Sequence, residues 1–139
     1  MVGWQTSGRT AEDNDFRQLL CDYVEFLLLT GCRHGTEAMG VSWQHCEWYS
    51  ADSVKYLRIW VDGKTGGRWL IAKHRAIDVL RRLHSRQKAV YDIPFERLFE
   101  SRAPQKLFVM ADGHQPLRID GTFKKLMRDS GLAMSQDGQ

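Results

Sequence analysis

The sequence predicts a mixed α+β fold, a mainly helical body carrying a small three-stranded antiparallel sheet. Three observations predict it. Apolar side chains recur at helical spacing from Phe16 to Leu29. From His45 to Ala72 the pattern changes to a period of two, punctuated by glycine turns. Helical periodicity then returns at Ile77–Leu83 and Ile119–Met127. A chain of 139 residues fits one domain with a real core.

Each element has a local reason. Residues 1–14 are polar, hold Gly3 and Gly8, and read as a flexible arm, with Met1-Val2 as a start joined to a domain cut from a longer chain. Leu19, Leu20, Tyr23, Val24, Leu27 and Leu28 then form an i, i+3, i+4, i+7 stripe. Cys21, Phe26 and Leu29 widen that stripe, which makes the helix central, with Asp13 or Asp15 as its cap. Gly31 ends it, because glycine enters the left-handed region without a Cβ clash. Thr36 is the expected N-cap of a short second helical piece.

In the strand region, Leu57, Ile59 and Val61 alternate with Tyr56, Arg58 and Trp60. His45–Tyr49 and Arg68–Ala72 flank that strand. Asp62-Gly63 and Gly66-Gly67 bracket Lys64-Thr65, predicting a hairpin with Lys64 at or near its tip. Ile77, Leu80 and Leu83 make the inner face of the next helix, with Arg81, Arg82 and Lys88 outside. Pro94 interrupts, Phe95, Leu98 and Phe99 form a short helix, and Leu107–Met110 an extended apolar piece. Ile119, Phe123, Leu126 and Met127 line a last helix, capped by Asp120 and stopped by Gly131. The globular part thus runs over residues 15–132, and 133–139 form a patternless tail.

Charge and cysteine usage narrow the function classes. The net charge is +3, and Arg58, Lys64, Arg68, Lys73, His74, Arg75, Arg81 and Arg82 crowd one stretch with only Asp62 and Asp78 among them. Such a stretch suits a polyanion. Three cysteines without framework spacing point to reduced thiols and a cytoplasmic protein. The longest apolar run, Phe26–Leu29, is too short to cross a bilayer, so no membrane role is expected. Cys32, His34, His45 and Cys46 lie close in sequence, but His45 and Cys46 are adjacent and point to opposite faces of a strand. No metal site is expected there. Cys21 and Cys32 read as small core residues. Trp43, Trp48, Trp60 and Trp69 are candidates for base stacking or for core, with core the commoner use of large aromatics beside strands. Gly63-Lys64-Thr65-Gly66 is not a Walker loop, since the motif's first glycine is missing.

The stretch that organises the chain is Thr30-Gly31-Cys32-Arg33-His34-Gly35-Thr36-Glu37. It delivers one arginine between two glycine bends, a cation well placed to meet an anion. With Trp43 downstream, it resembles the first arginine box of the tyrosine recombinases (phage integrases). Many members carry the acid three residues after the arginine; here Thr36 holds that position and Glu37 follows. Lys64, just before Thr65 in a later hairpin, is similar in order and spacing to the family's catalytic lysine.

The resemblance implies cutting and rejoining of double-stranded DNA by transesterification, with no metal or nucleotide cofactor. Arg33 would bind the scissile phosphate and Lys64 would protonate the leaving 5′ oxygen, with Glu37 in support. Thr65, Arg68, His74 and Arg75 would contact the DNA backbone, and other recombinase protomers would be partners.

What is missing weighs equally. The family's His/Lys-x-x-Arg box and tyrosine nucleophile lie beyond the Asp13–Leu132 region that the resemblance covers. Lys125-Leu126-Met127-Arg128 and Lys55-Tyr56-Leu57-Arg58 match the box only formally, and none of Tyr23, Tyr49, Tyr56 or Tyr91 holds the nucleophile's position. The expectation is a DNA-binding piece that is inactive alone. An incomplete domain should also expose apolar surface, with Cys21, Phe26, Leu29, Phe123 and Met127 as candidates, and so self-associate. The alternatives are a non-catalytic DNA-binding remnant of a mobile element and a structural or protein-interaction domain.

Overall fold

The computed structural model describes residues 11–63, 66–87, 93–116 and 119–130. A twenty-residue helix, α1 (Ala11–Thr30), supplies the surface on which the rest packs. Phe16, Leu19, Leu20, Cys21, Tyr23, Val24 and Phe26 are all buried along it. Burial therefore wraps further round α1 than one stripe. Cys21 and Phe26 are at 0 %, as the widened stripe predicts and not left exposed as an apolar patch would need, and Leu28, expected on the buried stripe, is 72 % exposed. Helices and sheet pack on α1 from several sides, which a single-face pattern does not capture.

Ala11 is already helical, so Asp13 and Asp15 lie within the helix rather than at its cap, and the expected arm gives up residues 11–14. The Asp15 carboxylate instead accepts the Ala111 N–H at 2.8 Å. At the other end Gly31 takes φ 75° and donates its N–H to Leu27 O. The short α2 (Thr36–Met39) follows, with Gly35, not Thr36, in the N-cap position at φ 99°. A 3-10 turn over Trp43–His45 is closed by a reciprocal capping box between Ser42 and His45.

Strands β1 (Cys46–Ala51), β2 (Val54–Gly63) and β3 (Gly66–Ala72) form an antiparallel sheet in sequence order. Asp52 and Ser53, both at positive φ, make the tight turn between β1 and β2. The register sets Val61 opposite Arg68 and Gly63 opposite Gly66. Alternation puts Cys46, Leu57, Ile59, Val61, Leu70 and Ala72 into the core. The same alternation turns Tyr49, Trp60, Trp69 and Ile71 outward, each at least partly in solvent. Trp60 and Trp69 are therefore not core residues; among the four tryptophans weighed above, Trp43 alone is fully buried.

Helix α3 (His74–Arg86) packs Ala76, Val79, Leu80 and Leu83 inward, and α4 (Phe95–Leu98) adds Phe95 and Leu98. Leu107–Met110 is buried but forms no strand; one bridge, Ser42 to Lys106, ties its approach to the body. The last described helix, α5 (Ile119–Ser130), rests Phe123 edge-on against Tyr23. Asp120 is inside that helix, past the cap position. Lys88, Tyr91, Gly131 and the Met127 side chain lie outside what is described. The helices and three-stranded antiparallel sheet make this an α+β fold. Among the described residues no helix is long and apolar enough to cross a membrane.

Candidate functional site

Gly31 turns the chain out of α1, and Arg33 emerges from the turn with its side chain exposed. The turn is held from beneath. Tyr23, fully buried on α1, accepts the Gly35 N–H at 3.1 Å and lies 2.7 Å from His34 Nδ1. The His34 ring stacks on Phe123 at 4.1 Å between centroids. Thr30 Oγ1 donates to Phe26 O and accepts from the Cys32 N–H, so the approach to Arg33 is also fixed.

Glu37 is the centre of the site. It is 5 % exposed, and its Oε1 accepts the backbone N–H of Arg33 at 3.0 Å. Arg68, reaching inward from β3, donates to Oε2 at 2.9 Å and to Oε1 at 2.7 Å, and to Gly31 O at 3.2 Å. The base of the hairpin presses on the same group: a Cβ on Gly63 would fall 2.5 Å from Glu37 Oε2. Burial alone would raise the Glu37 pKa, but the Arg33 N–H and the Arg68 guanidinium outweigh it and hold the carboxyl below its ordinary range. Beside it the Cys32 thiol is pushed up to about 12, by burial first and then by the Glu37 charge, so it is an inert thiol.

The expected site residues separate into three groups. Arg33, Glu37 and Arg68 come together, but Arg68 faces the buried acid rather than solvent. Lys64 and Thr65 lie outside the described residues, between Gly63 and Gly66 of the hairpin. His74 and Arg75 sit with Lys73 at the start of α3, all exposed. The seven residues of β3 separate them from the hairpin end, about 20 Å at the usual strand rise.

Most of the basic middle stretch is already engaged. Arg58 pairs with Glu47, Arg81 with Glu96 at 3.2 Å, and Arg82 with Asp22 at 2.9 Å and Glu25 at 3.0 Å. Among the described residues, Arg33, Lys73, His74 and Arg75 make no side-chain hydrogen bond or ion pair. Of the described part of that stretch, Lys73, His74 and Arg75 are thus left to meet an anion, and Arg33 joins them from the turn.

The cysteines and histidines noted in the sequence go separate ways. His34 Nδ1 faces Tyr23, His45 Nδ1 accepts the Ser42 N–H at 3.0 Å, and Cys46 is buried against Ser42 O. Burial, then the nearby Lys106 charge, lowers the His45 pKa and keeps it neutral in that acceptor role. Among the described residues no three His, Cys, Asp or Glu side chains gather as a metal site would require.

Two features were legible and missed. Arg68 shares its strand phase with Leu70 and Ala72, which signals an inward side chain. Asp22 lies three residues after Leu19 and four before Phe26, on the buried face of α1, so a cation had to meet it. Comparison with family models, with curated proteins and with solved structures finds no match.

Proposed function

We propose that this chain binds the phosphate backbone of double-stranded DNA through Arg33, as the first part of a tyrosine recombinase catalytic domain. The observation that carries the reading is the Arg33 turn itself. A buried carboxylate fixes the arginine's backbone, its guanidinium is left to solvent, and the base of the Lys64 hairpin abuts that same carboxylate. Holding the backbone of a phosphate-binding group in advance lowers the ordering cost of engaging the anion. In this reading Arg33 neutralises charge on the phosphate, Lys64 is the leaving-group acid, and His74 and Arg75 grip flanking phosphates.

In this reading, none of the described tyrosines is the nucleophile of a phosphotyrosine bond. Tyr23 is buried with its hydroxyl engaged under the turn, and Tyr49 and Tyr56 stack on the outer face of the sheet. Fluorescence anisotropy with a labelled duplex tests the proposal. Binding is expected with Kd of about 10⁻⁴ to 10⁻⁶ M near physiological salt, weakening as salt rises. Arg33→Ala should reduce it, and a suicide substrate should trap no covalent adduct. Affinity indifferent to salt, or unchanged by Arg33→Ala, would sink the DNA reading.

One observation favours a second reading, a protein-interaction domain: the outer sheet face exposes Trp60, Trp69, Ile71 and Val54. That reading predicts no salt-sensitive DNA binding at all.

A further inference from the structure

We infer that Arg68 and Glu37 form a latch that sets the Lys64 hairpin against the Arg33 turn, making Arg68 a positioning residue rather than a contact to DNA. This rests on the DNA reading above. Arg68 lies opposite Val61, two residues before Gly63, so its guanidinium is anchored close to the hairpin's end. Its three hydrogen bonds go to α2 and the turn before it: two to Glu37 and one to Gly31 O. The fork matches the carboxylate in bidentate fashion, a geometry that resists rotation as well as separation.

Glu37 in turn holds the Arg33 N–H, and the absence of a side chain at Gly63 lets the hairpin backbone close onto Oε2. One carboxylate is thus the common support of the arginine turn and of the hairpin. Both terminal nitrogens of Arg68 are engaged, by the buried acid and by Gly31 O, so the fork is turned toward the protein rather than toward a phosphate. If Arg68 did leave for DNA, it would strip a buried carboxylate of its cation, a costly exchange. The latch fixes the base of the hairpin, at Gly63, against the Arg33 turn before any DNA arrives.

The test compares Glu37→Gln, Arg68→Met and the double variant in the full chain, using salt-dependent duplex binding and amide hydrogen exchange of Val61–Gly63 and Gly66–Arg68 without DNA. A latch predicts that each variant weakens binding about tenfold, the scale of coupling within one network, and that the double variant is no worse than a single one. The salt slope should stay at its wild-type value, and the hairpin amides should exchange faster in all three. A direct phosphate role for Arg68 predicts opposite signs: Glu37→Gln would free the arginine and tighten binding, while Arg68→Met would lower the salt slope by about one. That result, or hairpin amides as protected as in the wild type, would overturn the latch. Should a single variant unfold, the double variant, which leaves neither charge unpaired, carries the comparison. Loss of all DNA binding in the wild type would fail the DNA reading instead, and the exchange measurement would still decide the latch.

Discussion

The carboxylate of Glu37 is the residue on which both acid stability and local geometry depend. Its folded pKa is held below the ordinary value of about 4.3, so between the two values the unfolded chain binds more protons than the folded one. Its stabilisation is therefore complete above the ordinary value and is lost as pH falls through the depressed folded value. Urea denaturation from pH 7 down to pH 3 should show wild-type stability falling more steeply than that of Glu37→Gln. Equal slopes would mean that the carboxylate is not preferentially stabilised in the fold. Gly67 offers a second check at this scale. A Cβ there would sit 2.0 Å from the Trp60 indole, which now lies across the bare backbone. Gly67→Ala should displace the ring from Trp69, its edge-on neighbour at 5.2 Å, and, because the pair lies on the exposed face, cost about 1 kcal/mol or less. Near-ultraviolet circular dichroism and urea midpoints would register both effects.

At the scale of elements, α1 and α3 are joined by apolar packing and by an ion network that runs from buried Asp22 out to solvent. Asp22 is 3 % exposed and takes Arg82 at 2.9 Å and Arg86 at 2.8 Å. The Arg86 contact is close but poorly aligned for a hydrogen bond, so the Arg82 bond is the stronger link. Removing the acid leaves Arg86, which is mostly buried, without its counter-charge. Asp22→Asn should therefore cost about 2–3 kcal/mol, less than a fully buried pair because Arg82 remains half in water. Glu25→Gln, on the exposed side of the same network, should cost below about 1 kcal/mol. Guanidinium or urea titration of the two variants separates the cases; equal losses would contradict the burial argument.

Across the whole molecule, the net charge of +3 says little until the ion pairs are assigned. Acids on neighbouring elements neutralise Arg58, Arg68, Arg81 and Arg82, and leave Lys73, His74 and Arg75 at the start of α3 and Arg33 on its turn exposed and, among the described residues, unpaired. Under the DNA proposal, Arg75→Ala or Lys73→Ala should weaken duplex binding and lower the salt slope by about one each. Arg81→Ala should leave the slope unchanged. If all three variants behave alike, the affinity comes from diffuse charge and not from this set.

Local chemistry sufficed for the elements. Period-two alternation in Tyr56–Val61, the glycine pairs around the hairpin and the apolar spacing of Ile77, Leu80 and Leu83 each act over a few residues, and the strands and helix appear there. The turn at Gly31 was legible for the same reason, since a missing Cβ is a property of one residue. The partners of the charges were decided by the tertiary structure. Whether Arg68 meets DNA or Glu37, whether Asp22 is paired, and whether Leu28 or Phe26 faces water depend on which segments distant in the chain arrive beside them. Burial and charge pairing are energies of neighbours in space, and the packing of α1 against β3 and α3 supplies those neighbours.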